Sequence, residues 1–99
     1  MADTVREAQS AHLCALFIKA HGDGGDYDYA LDAANSAARH VQALLTELPT
    51  TSPLARDAGM LAQSVRAAQR ALAQQRPVHN PDELLDLATR LKENLEGPQ

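Results

Sequence analysis

The side chains best suited to catalysis or metal binding are one cysteine and four histidines. They are Cys14, His12, His21, His40 and His79. The chain contains no Glu-x-x-His, His-x-x-x-His or Cys-x-x-Cys pair, the spacings that bring metal ligands together on a helix or in a tight turn. His12 and Cys14 are two positions apart, so they would point in different directions on a helix. We therefore predict no catalytic residue, no metal ligand, no cofactor and no enzymatic activity, and we interpret Cys14 as a buried, inert thiol.

A group of aspartates lies close to three glycines, in what we call the acidic turn. The aspartates are Asp23, Asp26, Asp28 and Asp32. A calcium loop that began at Asp23 would need a glutamate at its twelfth position, and that position is Ala34. We interpret the group as helix-capping residues in a solvated turn, with divalent-metal binding as the alternative.

Basic and amide side chains recur at helical spacing between residues 56 and 76. The residues at this spacing are Arg56, Gln63, Arg66, Arg70 and Gln74, and Arg76 lies just beyond them. Such a face suits an acidic protein, the acidic turn of a second copy or a phosphate backbone, and an ordinary solvated helix face is the other interpretation. No aromatic residue interleaves with these arginines, so the stacking of nucleic-acid bases is not indicated.

Two tyrosines follow the acidic turn. Tyr27 and Tyr29 differ in direction by about 200° around a helix, so we expect one of them to be exposed. An exposed tyrosine beside small residues is typical of an interface anchor. The residues that we predict to bind a partner are Tyr27, Tyr29, Arg56, Arg66 and Arg70.

The composition indicates one small globular domain, residues 1–99, with a thin core. Hydrophobic residues make up 44% of the chain and aromatic residues 3%, while alanine is about a fifth. The net charge of −4 argues against a general nucleic-acid binder. A single cysteine cannot form an intrachain disulfide, which fits a reducing compartment. The N-terminus lacks a signal-peptide pattern. The longest apolar run, Leu13 to Ile18, is too short to span a bilayer. We expect a soluble, cytoplasmic protein with no membrane partner.

Four segments with helical periodicity alternate with turns that contain glycine or proline. They predict helices at about residues 5–21, 27–48, 53–75 and 81–95. Because every connection is short, we predict an all-α fold, an antiparallel up-down bundle of three long helices and a shorter C-terminal one. The sequence leaves open whether the fourth helix packs on its own chain or on a neighbouring copy.

Helix ends carry recognisable signals. Ser52 and Asn80 each precede a proline, as N-caps commonly do. Thr4 and Glu7 have the spacing of a capping box, Asp26 can cap the second helix, and Gly22 is expected to stop the first.

The first predicted helix is apolar around most of its second half. Leu13, Leu16 and Phe17 belong to its apolar stripe, and Cys14 and Ile18 widen it. A segment of this kind is typically buried on more than one side. Gly59, inside the third helix, marks either a close helix contact or a weak point.

The segment Gly25–Leu31, Gly-Asp-Tyr-Asp-Tyr-Ala-Leu, followed by Ala34 and Ala37, resembles the helical-hairpin turn of tetratricopeptide repeats and MIT domains. The resemblance covers about residues 11–45, with a tyrosine that would pack back on the first helix and alanines that let the helices close. Ile18 stands where a repeat has a small residue, and nothing similar recurs at a spacing of about 34 residues. The resemblance implies a single hairpin within a bundle, which docks a partner's amphipathic helix in a groove between helices.

Together these features favour a non-enzymatic protein–protein interaction or adaptor module. Its partner would be another protein or a second copy in a homodimer, bound through a helix groove and a surface polarised between the acidic turn and the basic third helix. The alternative is a small regulatory binder of nucleic acid or nucleoprotein, which would use the arginine face of the third helix.

Overall fold

A computed structural model describes residues 3–97, which form four α-helices and no strand. They are α1 (Thr4–Asp23), α2 (Tyr27–Glu47), α3 (Pro53–Ala73) and α4 (Pro81–Glu96). The predicted helix ends agree with these bounds to within two residues. No helix of this part of the chain is long and apolar enough to cross a bilayer.

Polar pairs between neighbouring helices show that the helices alternate in direction. Between α1 and α4, Gln9 donates to Glu96 at 3.0 Å and Lys19 to Asp82 at 2.6 Å, so residue numbers rise along one helix and fall along the other. Between α2 and α3, Gln69 donates to Asn35 at 2.9 Å and Gln75 to Asp28 at 3.2 Å.

Each helix packs against two others, in the order α1, α2, α3, α4 and back to α1. Within residues 3–97 the backbones of the diagonal pairs, α1 with α3 and α2 with α4, do not approach within 8 Å between Cα atoms. The predicted antiparallel up-down bundle is confirmed, and α4 packs on α1 of its own chain. The contact between α1 and α2 is the most extensive, and that between α3 and α4 is the least.

The core is apolar and rich in small side chains. Among the described residues no polar or charged residue is buried, and half of the 18 buried residues are alanine. The larger buried side chains are Ile18, Val41, Leu44, Leu61, Val65, Leu72, Leu84, Leu87 and Leu91. Alanine lets helix backbones approach closely, but each alanine removes little apolar area from water. The predicted thin core is therefore present.

The N-terminus of α1 is capped differently from the prediction. Asp3 is the N-cap, and its carboxylate accepts from the Arg6 backbone N–H at 3.2 Å. The Thr4–Glu7 capping box is therefore wrong. Glu7 instead lies 2.7 Å from Nδ1 of His40 on α2, where it joins two helices rather than closing the end of one.

The turn between α1 and α2 also differs in detail. α1 continues through Gly22 to Asp23, and Gly25 takes the left-handed conformation, with φ of +82°. Asp26 holds the N-cap position of α2 but makes no capping hydrogen bond with its side chain.

The predicted N-caps of α3 and α4 are confirmed. The Ser52 hydroxyl accepts from the Leu54 N–H at 3.1 Å, and the Asn80 side chain accepts from the Glu83 N–H at 3.1 Å. These bonds satisfy amides that would otherwise lack an intrahelical partner.

Gly59 is a weak point in α3, since a methyl group built there would meet nothing within 4 Å. We expect Gly59→Ala to raise the free energy of unfolding by about 0.5–1 kcal/mol, because alanine has the higher helix propensity. Urea unfolding measures the change. Gly25→Ala is the matched control, and it should lower stability by about 1 kcal/mol, because its φ is unfavourable for a residue with a Cβ. A destabilised Gly59→Ala protein would contradict the open environment of this position.

Candidate interaction surface

One side of α1 carries large apolar side chains that the bundle does not cover. Leu13, Leu16 and Phe17 are 55%, 41% and 48% exposed, and Ala20 continues the same row. We call these four residues the α1 outer face. Their spacing of three, one and three positions places them on one side of the helix.

The opposite side of α1 lies against the core. It consists of Ala8, Ala11, Ala15 and Ile18, each at most 2% exposed. The expectation that the apolar half of this helix is buried on more than one side is therefore wrong, because the core-facing side holds mostly alanine and the larger side chains face outward.

Aromatic rings extend the α1 outer face toward α2. Phe17 stacks on His21, with ring centroids 5.9 Å apart and an angle of 11° between the ring planes. His21 in turn contacts Tyr29 of α2, with centroids 5.5 Å apart. Tyr29 is 68% exposed, whereas Tyr27 is half-buried against the core. Of the two tyrosines, Tyr29 is therefore the one whose ring is mainly exposed to solvent.

Beside this face, a polar pair and a partly buried cysteine lie where α1 meets α2. Glu7 pairs with His40, and Cys14 packs partly buried against the core. Burial raises the pKa of the Cys14 thiol, and the positive charge of Arg39 opposes that rise in part. The predicted burial of Cys14 is therefore only partial, and the inertness of its thiol stays a prediction.

The predicted arginines lie on a different surface. Arg56, Arg66 and Arg70 are exposed on α3, and in residues 3–97 none of them forms an ion pair with a carboxylate. Because α1 and α3 are diagonal in the bundle, the structure does not bring these arginines together with the α1 outer face.

Three carboxylates of the acidic turn each have a different polar neighbour. Asp23 lies 3.8 Å from Nζ of Lys19, Asp26 lies 3.7 Å from Nδ1 of His21, and Asp28 accepts from Gln75. The stronger contact of Lys19 is with Asp82, and this hydrogen bond raises the pKa of the lysine ammonium. No three His, Cys, Asp or Glu side chains within residues 3–97 are grouped so that they could hold a metal ion.

The bond between Gln75 and Asp28 also locates the acidic turn relative to α3. It joins the C-terminal end of α3 to the start of α2, so the acidic turn and Arg70 lie at the same end of the bundle. The predicted polarity between the acidic turn and the basic third helix is therefore not a separation between the two ends of the bundle.

A groove of about 760 Å³ runs between α3 and α4, the pair with the least contact. Its apolar lining includes Met60, Ala67, Ala71, Val78 and Leu87, and its polar lining includes Arg76, His79 and Glu83. The groove lies outside the hairpin segment that carries the family resemblance, because that segment belongs to α1 and α2.

The sequence interpretation missed the α1 outer face as a surface. One signal was present: the row Ala8, Ala11, Ala15, Ile18 stays apolar along nearly the whole helix. The row with Leu13 and Phe17 becomes polar toward the N-terminus, at Arg6 and Gln9. A continuous row with spacings of three and four residues is typical of the buried side in a bundle.

Comparison with known proteins adds no functional residue to this surface. No family model, curated protein or solved structure matches the chain. The resemblance of residues 11–45 to the tetratricopeptide and MIT hairpins stays a prediction.

Adjacent positions on α1 allow a direct test of which side is exposed. We expect Phe17→Ala to lower the free energy of unfolding by less than about 1 kcal/mol, because much of this ring is in water already. Ile18→Ala, at a position with 0% exposure, should cost about 2–5 kcal/mol. Urea unfolding of both variants checks the assignment, and equal costs would contradict it.

Proposed function

We propose that this protein is a non-enzymatic protein–protein interaction module of the adaptor type, which binds its partner through the α1 outer face and Tyr29. The observation that carries the proposal is the exposure of Leu13, Leu16 and Phe17 in one row, beside an exposed tyrosine. Contiguous exposed apolar side chains rimmed by polar ones are typical of binding surfaces.

The energetics of this surface favour association. Burial of apolar area contributes about 25 cal/mol for each Å² removed from water, and aromatic anchors often dominate interface energies. The row lies on a helix that is already formed and packed on both flanks, so little backbone entropy is lost on binding. Ala20 leaves room for a partner's side chain or backbone to approach closely.

Polar residues around the row would form the rim of the interface. Arg6 and Gln9 lie at its N-terminal end, and Asp23 and Asp26 at its C-terminal end. Charges of opposite sign at the two ends orient a partner more than they tighten its binding. We propose a cytoplasmic location for the module, because a reducing compartment suits its single, half-buried thiol.

Photo-crosslinking tests the proposal. A benzophenone amino acid at position 17 should form covalent adducts in cells of the native host, either with another protein or with a second copy of this protein. The matched control places it at Met60, a 46% exposed apolar residue on α3. Leu16→Gln, which changes only an exposed side chain, should reduce the adducts from position 17. Adducts no more abundant from position 17 than from position 60 would contradict the proposal.

The α3 arginines favour nucleic-acid binding as a second candidate, since carboxylates of residues 3–97 do not pair with them. If they contact phosphates, a labelled oligonucleotide should bind with an affinity that falls steeply with salt, and Arg66→Ala with Arg70→Ala should flatten that dependence. Lys92→Ala, which removes a cation from α4, is the control. Absence of binding at low salt would remove this candidate.

A further inference from the structure

We infer that the α1 outer face is covered by the same face of a second copy, packed antiparallel about a two-fold axis that passes between Leu16 and Phe17. The inference rests on the proposed function, because it takes that binding surface and names its occupant. A two-fold interface requires a surface that is complementary to itself. The α1 outer face meets this requirement in position, in size and in charge.

The positions of the row are symmetric about its centre. When two copies of α1 run antiparallel about this axis, Leu16 lies level with Phe17 of the second copy, and Leu13 lies level with Ala20. All four positions are exposed, so each exposed member of the row meets another exposed member. No residue of the row therefore faces a residue of the second copy that is already buried in its own bundle.

The side chains that become level also differ in size. Leu13 is large and Ala20 is small, and the two-fold axis creates this pairing twice, once on each side of the centre. Large side chains that fall opposite small ones let two helices interdigitate at close range. The centre of the interface is then formed by Leu16 and Phe17 of both copies.

The same rotation places α2 next to α2 of the second copy. Tyr29 leans toward α1 through its contact with His21, which stacks on Phe17 close to the axis. The tyrosines of both copies would thus lie on one flank of the centre and enlarge the buried aromatic area. This explains why a 68% exposed tyrosine is held by ring contacts.

Charge selects the antiparallel arrangement over a parallel one. Arg6 is exposed near the N-terminal end of α1, and the acidic turn follows its C-terminal end. In the antiparallel pair, Arg6 lies close to the acidic turn of the second copy at both ends of the interface. In a parallel pair the two acidic turns would lie side by side and repel each other.

The first test measures mass by light scattering over a concentration series. The wild-type mass should rise from 10.6 kDa toward twice that value as the concentration increases. Leu16→Glu and Leu16→Lys should each remain monomeric, because the two-fold axis places the new charge of one copy beside the identical charge of the other copy. An equimolar mixture of the two variants should recover the dimer, and a mixture that stays monomeric would contradict the two-fold geometry.

The second test reads the direction of the helices by disulfide formation in a Cys14→Ala background. Leu13→Cys and Ala20→Cys should form a mixed disulfide. Leu13→Cys alone should not form a disulfide, because position 13 of one copy is displaced by about 10 Å along the helix from position 13 of the other. Efficient self-linking through Leu13→Cys would overturn the antiparallel arrangement.

The two proposals fail in different ways. A wild-type protein that stays monomeric at every concentration overturns self-association, while crosslinks from position 17 to a different protein would still support the interaction module. An absence of adducts above the control from position 17 overturns the module itself.

Discussion

The narrow, alanine-lined interface between α1 and its neighbours is the constraint from which the rest of the molecule follows. Ala8, Ala11 and Ala15 bring α1 close to the helices beside it, and that closeness leaves no space inside for leucine or phenylalanine at neighbouring positions. Leu13, Leu16 and Phe17 are therefore outside, while Ile18 lies in the core. The small residues on the core side of α1 thus account for both the close packing of the α1–α2 hairpin and the apolar surface on its outer side.

Packing is uneven around the bundle. α1 and α2 share the most extensive contact, whereas α3 and α4 touch least and leave a groove between them. The exposed apolar row therefore stands on the best-supported pair of helices. A binding surface on a rigid element loses little conformational entropy when it is covered, which suits α1 better than a surface at the α3–α4 junction.

Local signals predicted the helices well, because caps such as Ser52 and Asn80 act within one turn of the chain. They failed at Thr4, where two adjacent residues could both cap α1 and the outcome depended on the pairing of Glu7 with distant His40. The sequence predicted that one of the two tyrosines is exposed but did not indicate which one. The outward side of α1 escaped prediction because two apolar rows competed for the core, and the more continuous of the two is the one that packs against α2 and α4.

Since no polar side chain is buried in residues 3–97, no polar group inside the bundle fixes how far one helix may slide along another. The polar pairs that favour one longitudinal alignment lie at the rim, such as Lys19 with Asp82 and Gln9 with Glu96. Such surface pairs are weak and are screened by salt. The polar contribution to conformational uniqueness therefore lies at the periphery of this protein, where salt weakens the Lys19–Asp82 ion pair.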